Sequence, residues 1–261
     1  MVSDKKMGIV VILVILASIC LCSYHVINDN VMDDKPTYKI DTLDAGNITN
    51  ETPITTVNLN INQEVGGCQI KFADTDTIYS INTTNTNNSN DSMNVTHNIN
   101  GDQLNMDVNS NKDEIITLSS KYHYNINAKC NVGGLSYDVS KNAHINELNS
   151  TITLGGCDIH LNGGVIDNIN SQVTLGGVNI IGNMPGTLNV NSTIGIGGLN
   201  INQTKADYNI HSNIDLGGVN MNTPNKQSTN QVFDFKTPNY DNSENKINLN
   251  SNIQLGGLNI G

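Results

Sequence analysis

The chain has 261 residues and a formal charge of −11, with 24 acidic side chains against 13 lysines, no arginine and no tryptophan. An acidic protein without a basic stripe to meet phosphates is not built for nucleic acid. Its 46 asparagines and three phenylalanines would suggest disorder if the apolar residues were unpatterned, but they are patterned.

Met1 to Lys6 is a short head carrying Lys5 and Lys6; from Met7 to Cys22 the chain is apolar but for Ser18, and it stays uncharged as far as Asn28. A charged head before an apolar middle fits a cleaved signal peptide. It also fits a membrane anchor, which needs about 20 apolar residues, with Ser23, Tyr24 and His25 as interfacial flank. No clean small-x-small cleavage site follows. Ile19 and Leu21 stand before Cys20 and Cys22, where lipoprotein processing needs a small residue. An uncleaved N-terminal transmembrane helix within 1–27 is the favoured reading, and a secreted, cleaved chain the alternative. Both leave the lysines in the cytoplasm and the bulk of the chain outside the cell membrane. The expected partners are the membrane and a cell-envelope or protein partner.

Residues 28–53 are polar, acidic and unpatterned, with Pro36 and Pro53, and read as a linker. From 54 to 125 apolar residues alternate in short runs: Val57, Leu59 and Ile61, then Ile70 and Phe72, then Leu104, Met106 and Val108. This is a small β module or a set of degenerate coils that cap a regular repeat.

From 126 to 261 a phrase recurs: Leu154-Gly155-Gly156-Cys157-Asp158-Ile159, Leu175-Gly176-Gly177-Val178-Asn179-Ile180, Ile196-Gly197-Gly198-Leu199-Asn200-Ile201, Leu216-Gly217-Gly218-Val219-Asn220-Met221 and Leu255-Gly256-Gly257-Leu258-Asn259-Ile260. Weaker copies begin at Val65 and Val132. First glycines at 133, 155, 176, 197 and 217 are 22, 21, 21 and 20 residues apart; the next step, to 256, is 39. Upstream of each pair, residues such as Ile169, Ser171, Val173 and Leu175 share one parity, while Val178 and Ile180 share the other. That is a strand period on both sides of a corner, and two glycines can make the corner because they reach backbone angles other residues avoid. A unit of about twenty residues cannot bury its own apolar side, so the units must stack. The expected fold is an all-β, single-chain β-solenoid of about 20–22-residue coils with Gly-Gly corners. Its interior would be Ile, Leu and Val with a serine step (Ser150, Ser171, Ser192, Ser212, Ser251). Its exterior would carry a ladder of Asp158, Asn179, Asn200, Asn220 and Asn259. Residues 223–246, with Pro224, Pro238 and Val232-Phe233-Asp234-Phe235, are an irregular coil or a loop thrown out between coils, and a place to look for binding. The last repeat ends the chain, which implies an exposed sheet edge.

The repeated Leu-Gly-Gly-Val-Asn-Ile arms after an alternating β module resemble the toast-rack β-solenoid domains of adhesin-like proteins and of cell-wall-active antibiotic response proteins. The resemblance covers about Ile54 to Gly261 and rests on the repeat. It implies an envelope location and adhesion or envelope-stress sensing, and brings no active-site residues.

The residues themselves assign no catalytic, cofactor-binding or metal-ligating role. Cys68, Cys130 and Cys157 occupy slots where other copies carry Val, Leu or Ile and read as small buried hydrophobes; no Cys-x-x-Cys pair supports zinc. His160 and His211 fall on outward slots, and no two histidines share a ligand spacing. Nine Asn-x-Ser/Thr sequons are close to the number expected by chance in so Asn-rich a chain. The expectation is a non-enzyme without cofactor: a membrane-anchored, adhesin-like surface protein. A tethered envelope-stress sensor is the second reading and a parallel β-helix polysaccharide enzyme the third.

Overall fold

The computed structural model describes residues 38–47, 53–83, 93–203, 205–222, 226–228 and 232–261. The expected anchor at 1–27, with Cys20 and Cys22, lies outside the described residues. Among the described residues no helix is long and apolar enough to cross a membrane.

Period-2 patterning produces fourteen strands among the described residues. They are β1 (Tyr38–Asp44), β2 (Thr56–Ala73), β3 (Thr77–Thr83), β4 (Met93–Asn100), β5 (Gln103–Ser110), β6 (Glu114–Ser119), β7 (His123–Ser140), β8 (His144–Asn162), β9 (Val165–Asn183), β10 (Thr187–Gln203), β11 (Asp207–Met221), β12 (Lys226–Ser228), β13 (Val232–Lys236) and β14 (Lys246–Ile260). Two three-residue 3₁₀ turns, Ala45–Asn47 and Tyr240–Asn242, accompany them.

The long strands are bent rungs. Each carries one arm before its Gly-Gly pair and one after, and each lies parallel to and in register with its neighbour. Val190 pairs with Ile169, Gly197 with Gly176 and Asn200 with Asn179. Matched copies therefore stack at about 4.8 Å per rung. Inward residues of both arms form one core, from Leu104 and Ile116 at one end to Ile210 and Val219 at the other. The serine step is inside as expected: Ser171 donates to Ser192 at 2.8 Å and Ser251 to Ser212 at 2.7 Å, so each buried hydroxyl finds another.

The corner differs from the alternation in one place. Val173 and Val178 are buried, but Leu175, expected inside, is 44% exposed. Gly176 sits at φ +144°, and the turn it makes leaves the preceding side chain outside the bend. Gly133, Gly155, Gly197, Gly217 and Gly256 repeat that angle within a few degrees.

The stacking order is β6-β2-β7-β8-β9-β10-β14-β11, with strands out of chain order at both ends. At the first end, β5 pairs with the first arm of β2 and β6 with its second arm, so two short strands make one split rung outside β2. Antiparallel β4 then covers β5, and antiparallel β3 and β1 cover β6. At the other end the last repeat does not terminate the stack. β14 lies between β10 and β11. The terminal rung is β11, and the segment from 223 to 246 supplies its cover: β13 runs antiparallel to the first arm and β12 to the second. The 39-residue step thus holds one rung plus a lid for another, and the bare edge expected at the C-terminus is absent.

A methyl group at Gly176 would lie 1.5 Å from the Gly155 carbonyl oxygen, whereas at Gly67 the nearest atom is the Asp113 carboxylate at 3.8 Å. Gly176→Ala is expected to cost at least about 4 kcal/mol or abolish folding, and Gly67→Ala far less; urea denaturation followed by circular dichroism measures both. Deleting 226–236 bares β11, and light scattering should then show concentration-dependent aggregation absent from the intact chain.

Candidate functional site

Among the described residues, three surfaces and one buried cluster gather the polar and reactive side chains. The first surface is a set of amide ladders. Stacking like on like brings asparagines from successive rungs within hydrogen-bond reach. After the corner, Asn179 donates to Asp158 at 3.2 Å, Asn200 to Asn179 at 2.7 Å, Asn259 to Asn200 at 2.6 Å and Asn220 to Asn259 at 2.8 Å. Before the corner a second column joins Asn189 to Asn168, Asn248 to Asn189 and Asn209 to Asn248. A third joins Asn170 to Asn149 and Asn191 to Asn170. The post-glycine ladder is the expected one, with a difference: its neighbours shield Asp158 to 4% exposure.

The second surface is the outside of the corner. Val65, Val132, Leu154, Leu175, Ile196 and Leu216 are each between 40% and 55% exposed, and Leu255 is half-buried.

The third is the first-end cover, where β1, β3 and β4 meet. The Tyr79 hydroxyl lies 2.8 Å from Asp41 Oδ2 and 2.8 Å from His97 Nδ1. Burial and then the Asp41 carboxylate push the phenol well above its ordinary range. It stays protonated at neutral pH, and the trio works as a clasp holding β1 and β4 to β3. At the other end His211 meets Asp234 at 2.5 Å, tying β13 to β11. His144 contacts Asp167 at 3.0 Å and packs against His123 with ring centres 4.6 Å apart and ring planes inclined at 59°. His160 is half-buried on an outward slot.

The buried cluster stands inside the corner at the first end. Glu114 is 2% exposed, in register with Cys68, and neither carboxyl oxygen makes a full hydrogen bond. Burial pushes this carboxyl up to about 7; Cys68 and Ser110 oppose the shift in part and Asp113 adds to it. Cys68, Cys130 and Cys157 are buried thiols. Burial, then Glu114, raises Cys68 well above the usual thiol range and Cys130 to about 11. Nucleophilic and metal-binding thiols are thiolates, so Cys68 and Cys130 are held in the inert form. Among the described residues no group of three or more His, Cys, Asp or Glu side chains is placed to hold a metal ion.

Sequence reasoning missed Glu114, the Tyr79 clasp and the corner strip. Glu114 looks like an ordinary surface acid until the pairing sets it beside Cys68. The strip was visible as a column of aliphatics but assigned to the wrong side of the bend.

No protein-family model and no curated protein matches the sequence. Among solved structures the chain is similar to a putative cell adhesion protein from Clostridium sporogenes, with 16% identity over 86% of this chain and 98% of that one, and a TM-score of 0.55. It also aligns with a putative adhesin from Bacteroides fragilis, at 10% identity over 87% of this chain and 95% of that one, with a TM-score of 0.29. The first likeness is one of fold, in keeping with the toast-rack resemblance of the repeat; the second is too loose to define a fold.

Glu114 yields a pH prediction. The folded chain holds this proton more tightly than the unfolded chain does. Its contribution is therefore complete below the ordinary value of 4.5 and is lost as pH rises through about 7. Across that window the difference is on the order of 3 kcal/mol. Thermal melts from pH 4.5 to 7.5 should show a steeper fall for the wild type than for Glu114→Gln.

Proposed function

We propose that this chain is a membrane-anchored, extracytoplasmic β-solenoid that acts without catalysis as an adhesin-like protein, presenting a stiff, neutral, hydrogen-bonding face to a cell-envelope or protein partner. The observation that carries the reading is the set of in-register amide ladders. A primary amide has two donors and two acceptor lone pairs. Each ladder bond uses one donor of one asparagine and one lone pair of the next. In the post-glycine ladder a donor and a lone pair per asparagine remain for a partner, repeated at the rung spacing; in the other columns Asn170 and Asn189 spend their second donor on Glu147 and the Asp167 carbonyl. Such a surface binds through many weak contacts that add only if the lattice is rigid, and continuous backbone pairing supplies that rigidity. The basic head and apolar 7–22 stretch support an anchor that holds this face outside the membrane. The fold shared with a putative cell adhesion protein agrees with adhesion as the role.

Protease shaving of intact cells, with membrane fractionation and intact-mass analysis, tests the placement: a full-length, membrane-bound and protease-accessible chain is expected. Deleting 54–261 while keeping the anchor and linker should abolish binding of the cells to their surface or to one another. Unchanged binding would overturn the adhesin-like reading.

A further inference from the structure

The aliphatic strip at the corner is unused by the fold and is not part of the amide ladders. Its members follow one another through the pairing: Val65 beside Val132, Val132 beside Leu154, Leu154 beside Leu175, Leu175 beside Ile196, Ile196 beside Leu255 and Leu255 beside Leu216. Seven rungs make a row about 29 Å long. Six side chains at 40–55% exposure give a continuous apolar strip on the order of 500 Å², near the upper end of what a monomer leaves bare. The core does not require these residues, because each points away from it.

We infer that this row is a self-association surface whose occupant is the same row of a second copy, related by two-fold symmetry. Three observations choose that occupant. The first is pitch. A single file of aliphatic knobs at strand spacing is matched along its whole length only by another file at the same spacing, which a second copy supplies, as facing sheets do in tightly interdigitated zippers. The second is area. Two strips together come to about 1,000 Å², the lower bound for a specific interface, before the flanking residues are added. The third is charge. The chain carries −11, so two copies repel over most of their surfaces. Yet the outward residues just before the strip are Asn131, Thr153, Thr174, Gly195 and Gln254 on the five middle rungs; acids occupy that column only on the end rungs, at Glu64 and Asp215. The strip is thus a face on which two acidic chains can meet. The same neutral flank argues against a lipid surface, since membrane-seated apolar faces are bordered by lysine, arginine and aromatic residues.

Leu175, on the fourth of the seven rungs, lies at the centre of the interface whether the two rows run parallel or antiparallel. Full-length protein is expressed in membranes as wild type, Leu175→Cys and Leu175→Asp, with Asn191→Cys as a control on an exposed amide ladder. Mild oxidation should convert at least about half of Leu175→Cys to a disulfide-linked dimer, with Asn191→Cys no higher than wild type. Lysine-reactive crosslinking should give a dimer for wild type and reduce it at least fivefold for Leu175→Asp. Because Leu175 is outside the core, Leu175→Asp should retain the wild-type β circular dichroism and melting temperature. Leu175→Cys crosslinking no more than Asn191→Cys, or a Leu175→Asp dimer equal to wild type, would overturn the inference. So would a purified full-length chain that binds phosphatidylcholine–phosphatidylglycerol vesicles through Leu175 while remaining monomeric, which would assign the strip to lipid. Loss of adhesion in a chain that still dimerises would strike the proposed function and leave this interface standing.

Discussion

The whole stack depends on a contact between backbones. At each corner the carbonyl oxygen of one rung's first glycine occupies the space a Cβ would take on the next: 1.5 Å from the ideal position at Gly155, Gly176, Gly217 and Gly256, 1.4 Å at Gly197 and 1.8 Å at Gly133. These glycines also adopt φ between +141° and +152°, a range L side chains avoid. The two requirements have one origin. A chain that bends at the same place in every rung, with rungs at hydrogen-bonding distance, brings the bends into contact all along the stack. Where the ladder of glycines stops, another device replaces it: beyond Gly66 the split rung has Asn111, Lys112 and Asp113, and the Asp113 carboxylate accepts from the Gly67 amide at 2.8 Å.

That constraint explains why so much was legible. A residue tied to the corner repeats at a fixed place, and everything in register with it inherits the period. The serine step, the post-glycine amides and the buried cysteines at positions 68, 130 and 157 could all be assigned by counting from the glycines. Leu175 and its equivalents could not, because parity counts positions along a straight strand and the bend begins a residue before the glycine angle completes it. The order of rungs was beyond reach for a different reason. Gly217 and Gly256 pair with each other, and Gly256 with Gly197, so the period is satisfied whichever of β11 and β14 stands next to β10. The repeats are interchangeable in pattern, and the choice falls to the connections. Glu114 was hidden in the same way, since its burial comes from which strand lies outside β2.

The two ends solve one problem with different material. A stack of parallel rungs leaves a bare edge at each terminus, and both are closed by antiparallel strands, one to each arm. At the first end β3 and β4 do this around the split rung and are joined by the Tyr79 clasp to Asp41 and His97. At the second end β13 closes one arm, with Phe233 buried and His211 bonded to Asp234. Residues that look irregular in sequence, away from the glycine period, are the ones that keep the regular part from pairing indefinitely with other chains.

The position of β14 bears on how the chain reaches its folded state. Because the fifteen-residue strand β14 forms an interior rung, β10 and β11 have no bond between them until β14, later in the chain than both, arrives to fill the gap. A chain synthesised amino-terminus first can build the rungs from β2 to β10 as they emerge, but β11 and its cover must wait, held by a connection that allows β14 to slide in. Completion is therefore tied to the arrival of β14, and loss of that strand opens the middle of the stack where loss of an end rung would only have shortened it.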